Sequence, residues 1–445
     1  MRGLDSSARR SALVLAVVAM LVGIRAGADE PKGPPMPKPS KLSYRYDVFR
    51  QAVARPIARS LDPTLLVRKI SGRRREAFNV DESDQMRLPS TWWQPRVGFV
   101  PVSVAQMLSG PGPGTGPSRA KKWKVTGLKT QGVSLGFRIK DAEGQTFQLK
   151  FDPKDYPQLA TGADVVTTYL FWAAGYNVPD NAIVNFEMGD LEIPADATYE
   201  DDLGRKHPLD RVRLEQLLQG APREPDSTYR AVASRYLKGK PLGEWTYNGR
   251  RTDDPEDLVP HELRRELRGL WTLAAWVNHD DASARNTLDM WVTDGGRSFV
   301  RHHLLDFSSC LGSASIAAHP LRAGHEYVLD YGGSGRALAT AGLYRPKWEF
   351  GRDPHLPAAG YLETETFDPD GWRPFLPNPA FDARTERDIR WGARIVAGFS
   401  DELIRAAVER GRYSDPRVTE YLARALIERR DKLVRRWLPD GAVQH

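Results

Sequence analysis

The chain has 445 residues, 40% of them hydrophobic and 27% charged, enough for two or three packed units of ordinary globular composition. Its formal net charge of +7 falls to about +4 once the basic amino-terminal segment is set aside, too little and too dispersed to indicate a nucleic-acid partner. With a single cysteine, Cys310, no intramolecular disulfide can form, so the core alone must hold the fold, and the apolar setting of Cys310 reads as a packed thiol.

The first segment, residues 1–28, carries Arg2, Arg9 and Arg10, an apolar run from Ala12 to Ile24 and the small residues Ala26-Gly27-Ala28. A basic end, a short apolar stretch and an A-x-A site describe a secretory signal peptide, with a mature exported chain, periplasmic or extracellular, starting near Asp29. No later run approaches membrane length, so no membrane span is expected after its removal. Residues 29–40 are a Pro- and Lys-rich tether. Residues 41–108 form an extension with at least one helix, from the helical spacing of Val48, Ala52 and Ile57, and a basic loop from Arg68 to Arg75. A linker follows at 109–120, where Ser109-Gly110-Pro111-Gly112-Pro113-Gly114-Thr115-Gly116-Pro117 breaks helix and strand alike and marks the best domain boundary.

Beyond it the pattern alternates. Strands are expected at Trp123–Leu128, Phe137–Ile139 and Thr146–Phe151, with a glycine-bearing turn, Gly132-Val133-Ser134-Leu135-Gly136, in the first hairpin and Lys150 on the third strand. A helix from about Gly162 to Ala174 carries Asp164 near its start, where the helix dipole alone would favour an acid. Two more strands, Ala182–Ile193 and Thr228–Tyr236, flank an insertion with a short helix at Leu209–Leu218, and Leu237–Gly243 connects onward. The apolar residues Leu263, Leu267, Leu270, Ala274 and Val277 predict a helix that delivers a polar loop, His279 to Asn286. A hairpin comes next, Thr287–Val292 and Ser298–Leu305, turned by Asp294-Gly295-Gly296, and its closure would bring Asn286 close to Asp306. After an irregular stretch rich in Gly, Pro and aromatics, Ser400 caps one helix and Ser414-Asp415-Pro416 starts another that runs to about Leu438. Val418, Leu422, Ala425, Leu426 and Leu433 form its buried stripe, with Arg429, Arg430, Lys432, Arg435 and Arg436 on the wet face.

The loop and the strand end carry chemistry. Asp281, Asn286 five residues later, and Asp306 closing an apolar strand supply a carboxylate able to take a hydroxyl proton and two hard oxygen ligands suited to Mg²⁺. The plain alternative is that Asp281 and Asn286 cap a turn while Asp306 merely ends a strand.

These residues resemble the protein-kinase-like superfamily, in particular its atypical HipA-like branch. His279-Asp280-Asp281 with Asn286 matches H-x-D-x-x-x-x-N, Asp306-Phe307-Ser308 stands where D-F-G usually stands, and Asp164 to Pro179 is similar to the family helix that ends in Gly-x-x-Val-Pro. The resemblance implies an α+β, bilobal fold over Lys121 to Leu438: a small antiparallel-sheet N-lobe at 121–237 and a larger, mainly helical C-lobe at 238–440, preceded by the extension. It implies ATP and Mg²⁺ as cofactors. Asp281 would be the proton acceptor, Asn286 and Asp306 the metal ligands, Lys150 the phosphate clamp, and Gly132, Ser134 and Gly136 the phosphate cover. Asp164 stands where the family carries a Glu that pairs with the strand Lys, with Glu187 a second candidate partner; His279 would pack against Phe307, and the 237–243 segment would offer backbone groups to an adenine. The implied function is a secreted phosphotransferase acting on a hydroxyl of a protein, a sugar or a lipid headgroup. An inactive kinase-like module that binds a nucleotide or a partner, nucleotidyl transfer with the donor reversed, and a structural envelope protein with an accidental motif stay open at the level of sequence.

Overall fold

The computed structural model describes residues 34–60, 75–87, 89–129, 134–201 and 204–439; the expected signal peptide, the basic stretch up to residue 74, Gly132 and residues 440–445 lie outside them. The chain enters along the larger lobe, where the Ser40 N–H donates to Leu242 O at 2.8 Å. Three consecutive helical stretches, Tyr44–Phe49, Arg50–Ala54 and Arg55–Ser60, follow as one rod, α1, whose middle stretch is a π-turn.

The rest of the extension belongs to the C-lobe core, where Trp92, Trp93, Val97 and Met107 are buried. The Trp93 indole donates to Ala174 O at 2.7 Å, and the strap passes so close to Gly175 (φ +106°) that a Cβ there would lie 2.2 Å from Gln94 O. The glycine of the Gly-x-x-Val-Pro turn is therefore required by this close approach. Helix α2 (Val104–Ser109) starts in a capping box of Ser103 and Gln106. The Gly/Pro run after it packs down rather than spanning open space: the Gly114 N–H donates to the Asp180 carboxylate at 3.2 Å, and a Cβ on Gly112 would run into the same side chain.

The N-lobe is built from β1 (Trp123–Leu128), β2 (Gly136–Lys140), β3 (Thr146–Lys150), α3 (Leu159–Ala173), β4 (Asn181–Phe186), β5 (Leu191–Glu192), the small pair β6 (Thr198–Glu200) and β7 (Lys206–Pro208), α4 (Arg211–Leu218) and β8 (Tyr229–Arg235). The main sheet runs β4-β8-β3-β2-β1-β5. Alternation divides its faces. Phe137, Ile139, Phe147 and Leu149 meet Leu214 and Leu218 of α4 on one side, while Ile183 and Val232 meet Val165 and Tyr169 of α3 on the other. Helix α3 starts at Leu159, earlier than the sequence suggests, because Gln158 turns the chain (φ 69°) and the Asp152 carboxylate accepts from the Thr161 N–H at 2.8 Å and its hydroxyl at 2.7 Å. Asp164 thus sits in the second turn, outside the reach of the dipole reading.

The C-lobe contains β9 (Lys240–Gly243), α5 (Arg265–Val277), β10 (Thr287–Asp294), β11 (Arg297–Leu304), α6 (Tyr331–Ala339), α7 (Pro379–Ala383), α8 (Glu386–Ala397), α9 (Asp401–Glu409) and α10 (Pro416–Trp437). The β10–β11 hairpin pairs without a slip from Thr287↔Leu304 to Asp294↔Arg297, turning on Gly295 and Gly296, both at positive φ. Helix α5 is buried along its whole length, packed among α8, α10 and the strap. One expectation for α10 is corrected. Arg429 does not face water: it is 3% exposed and donates to Trp276 O at 2.8 Å, Ala275 O at 2.5 Å and Glu363 O at 2.5 Å. The last carbonyls of α5 have no partner within their own helix, and the guanidinium supplies one.

The whole is a bilobal α+β fold with a smaller sheet lobe and a larger, mainly helical lobe, the architecture the resemblance implies. Among the described residues no helix is long and apolar enough to cross a membrane.

Candidate active site

Two lobes contribute to one cluster of charge. Lys150 ends β3 on the face opposite Leu149, so its side chain points towards α3 and the C-lobe. Its ammonium lies 2.6 Å from Asp164 Oδ2 on α3 and 3.0 Å from Asp306 Oδ1 at the end of the β11 segment. Asp164 has no exposed side-chain surface. Its other oxygen accepts from the Asn181 amide at 3.0 Å and from the Phe307 N–H at 3.3 Å, which ties helix, sheet and C-lobe together at one carboxylate. Glu187, the second candidate partner for Lys150, is instead exposed on the insertion. Burial works against the charge of Lys150, but the two carboxylates outweigh it and hold the amine protonated, above its ordinary range. Burial likewise pushes against ionisation of Asp306, and the pull of Lys150 and the Ser308 hydroxyl overcomes it, keeping the carboxyl below the usual range.

Asp306 occupies the left-handed region at φ 54°, a conformation uncommon for a residue with a side chain and concentrated at functional sites. Ser308, which stands where a glycine is usual, donates to Asp306 Oδ1 at 2.6 Å and so fixes the carboxylate's orientation. No positive φ is present at Ser308, so the position makes no demand for glycine.

The loop after α5 supplies the second half. Asn278 closes the helix at φ 53°, and its amide oxygen accepts from the Trp372 indole at 2.8 Å. His279 is buried with its ring 5.6 Å from that of Phe307 and 6.0 Å from that of Phe171. Burial lowers its pKa to about 4, so it is a neutral packing group at physiological pH. Asp281 accepts from the Ser283 hydroxyl at 2.9 Å and from the Asn286 amide at 3.0 Å. Burial, with the neighbouring charge of Asp280, pushes its carboxyl up to about 6.

The hairpin closes beneath these groups: the Leu305 N–H donates to Asn286 O at 2.8 Å, bringing the ends of a twenty-residue separation together. Because the Asn286 amide nitrogen is engaged by Asp281, its side-chain oxygen is the end left for a ligand. Asp306 is 36% exposed and only its Oδ1 is used. Among the described residues no group of three or more His, Cys, Asp or Glu is placed to hold a metal ion by itself. One carboxylate and one amide oxygen fit Mg²⁺, which binds by one or two protein oxygens and takes its remaining partners from phosphates and water; they do not fit zinc.

Gly136 pairs with Lys150 across β2 and β3, and Gly132 lies outside the described residues. The Ser134 hydroxyl and carbonyl accept from the Lys129 ammonium at 2.6 and 3.0 Å. Lys129 escapes a reading of the sequence because it falls just after the first strand, with no motif to mark it; only the strand register could have found it. Asn181 and Arg429 carry no sequence signal either. On the far side of the loop, the Tyr44 ring of α1 stacks on Arg285 at 4.0 Å, and Asp47 and Gln51 line a small cleft with Ala282 and Ser283.

No family model and no curated protein matches the chain. Among solved structures it is similar to the Helicobacter pylori proinflammatory kinase CtkA, with 11% identity, 70% of this chain and 94% of that chain covered, and a TM-score of 0.36.

Proposed function

We propose that the protein is a kinase-like phosphotransferase, exported through its amino-terminal segment, that moves the terminal phosphoryl group of ATP to a hydroxyl acceptor. The observation that carries this reading is the Lys150 ammonium, held 2.6 Å from Asp164 and 3.0 Å from Asp306 by three separate elements of two lobes. An acid placed only for the helix dipole and a carboxylate that only ends a strand would have no reason to converge on one buried lysine.

The chemistry follows from the groups present. Asp281, half ionised near pH 6 and almost fully so at pH 7, accepts the proton of the attacking hydroxyl while remaining basic enough to hold it. The hydroxyl oxygen bonds to the terminal phosphorus as the bond to the nucleoside diphosphate breaks, and Lys150 lies where it can offset the negative charge of the phosphates. Asn286 and Asp306 would hold Mg²⁺, whose part is to neutralise and align the phosphates. The two departures from the family pattern that favour an inactive module, Asp164 and Ser308, each make a bond that orders the site: Asp164 to Lys150, Ser308 to Asp306.

A thermal-shift titration of the mature chain, Asp29 to His445, with ATP and Mg²⁺ tests the reading. The melting point is expected to rise with nucleotide in the parent, and not in Lys150→Ala or Asp306→Ala, because a ligand confined to the folded state stabilises it by mass action. A parent that no nucleotide shifts would leave a kinase-like scaffold with another role.

A further inference from the structure

The face of the N-lobe sheet that carries Lys150 holds a second lysine in the same row. Leu128 pairs with Phe137 and both point into the core on the far face, so the next residues in register, Lys129 and Gly136, point to the near face. The Lys129 N–H continues the ladder, donating to Gly136 O at 2.9 Å, and Gly136 in turn pairs with Lys150 on β3. Lys129, Gly136 and Lys150 are therefore cross-strand neighbours on three adjacent strands. Only the middle one lacks a side chain. A Cβ at Gly136 would come 2.3 Å from Leu149 O, 3.2 Å from Gln148 Nε2 and 3.3 Å from Lys129 Cδ, so glycine is required there and lets the Lys129 stem cross the strand. Lys150, Asp306, Asp164 and Arg285 are the charges that act on the Lys129 ammonium, which places it within the field of the same site. Among the described residues, its bonds to the Ser134 carbonyl and hydroxyl engage two of its three hydrogens.

The geometry points to the Lys129–Gly136–Lys150 row as a polyphosphate-binding surface in which Lys129 is a second phosphate ligand, released from Ser134 when the anion enters. This rests on the reading of the site as a nucleotide site and names what that reading leaves unassigned: the group that grips the phosphate chain from the β1 side. Two lysines on one face of the sheet favour a chain of linked phosphates over a single carboxylate or sulfate, since each can meet a different phosphate.

Calorimetric titration of the mature chain without metal, using tripolyphosphate, ATP and adenosine as probes, tests it. Lys129→Met should weaken tripolyphosphate and ATP about tenfold or more, in keeping with loss of a charge-assisted bond, and leave adenosine unchanged. Lys129→Arg, which keeps the charge, should keep most of the affinity. If Lys129→Met binds tripolyphosphate as the parent does, Lys129 is not a ligand, although a nucleotide site built on Lys150 survives. If Lys129→Met lowers the melting point without ligand and weakens adenosine as much as tripolyphosphate, Lys129 only holds its loop and the inference fails. If the parent binds ATP no more tightly than adenosine and ignores tripolyphosphate, the nucleotide reading fails with it.

Discussion

Asp281 keeps its proton to higher pH than a free carboxyl because burial and Asp280 both disfavour its charge, lifting its pKa from 3.8 to about 6. The consequence has two signs. Activity that needs the ionised form should fall about tenfold for each pH unit below 6 and level off above 7. Stability should move the other way, since the folded state binds the proton more tightly than the unfolded chain, and the cost of ionising it grows as pH rises from about 4 to about 6. Asp281→Asn should therefore abolish transfer yet raise stability by about 1–2 kcal/mol above pH 6, less whatever the Asn286 contact loses, with the gain vanishing near pH 4. Thermal melts of both proteins at pH 4, 5.5 and 7 would show this; a gain that does not depend on pH would mean that charge burial is not its cause. At Asp164 the same scale explains a missing methylene. The side chain has no exposed surface and already reaches Lys150 at 2.6 Å, so the helix sits close enough to the sheet for the shorter acid.

Among the elements, α5 and α10 act as a pair. The residues of the loop from His279 to Asn286 hang from the end of α5, whose final carbonyls are held by Arg429 of α10 and whose Ala274 O accepts from the His279 N–H at 2.8 Å. Burial lowers the Arg429 pKa to about 9, and its guanidinium also covers the Phe367 ring at 3.7 Å. Arg429→Met should leave those carbonyls unpaired, costing about 2–3 kcal/mol, and loosen the loop. Hydrogen exchange should quicken at His279 and Leu311, whose N–H groups bond to the same turn, while the N-lobe strands keep their protection. Uniform quickening across both lobes would count against a local effect. Helix α1 meets the opposite side of that loop through Tyr44 and Arg285, so the amino-terminal extension borders the side of the loop away from α5.

For the whole molecule the decisive feature is how firmly α3 is held. Arg230 of β8 donates to Thr161 at 3.0 Å, Arg412 O at 2.7 Å and Gly411 O at 2.5 Å; Arg410 bonds the Tyr169 hydroxyl at 2.8 Å; and Arg412 reaches Ile183 O at 3.2 Å. The loop between α9 and α10 thus clamps the helix and the sheet to the C-lobe. A helix that is fully packed and bonded on both sides does not swing to make or break the Lys150–Asp164 pair, and the lobes should unfold together. Arg230→Met should remove the clamp and leave the fully buried Asp152 carboxylate, 3.9 Å from the guanidinium, without its cation, costing about 3 kcal/mol. Calorimetry should then resolve two transitions where the parent gives one; a single shifted peak would argue that the lobes stay coupled by their apolar seam.

How much of this could be read from the chain depends on the range of the interaction. The α5 helix, the loop from His279 to Asn286, the glycine-turned hairpin and the approach of Asn286 to Asp306 are set by local periodicity and by a two-residue turn that admits one register, so sequence alone determined them. The meander of β1 to β3 and the helix after it were legible for the same reason. Distances between elements were not. Whether Asp164 reaches Lys150 depends on the gap between α3 and the sheet, which is fixed by Val165 and Tyr169 packing on Ile183 and Val232. Arg429 looks like one more charge on a basic helix until the end of α5 is packed beside it. The strap with Trp92 and Trp93 has no periodicity of its own, since each indole fits a pocket made by residues far along the chain. Lys129 becomes part of the site only through a cross-strand register that places Gly136 between it and Lys150. Sequence supplied the candidate polar groups and the local turns; tertiary packing decided which charges meet, because burial and pairing are properties of neighbours that the chain brings from a distance.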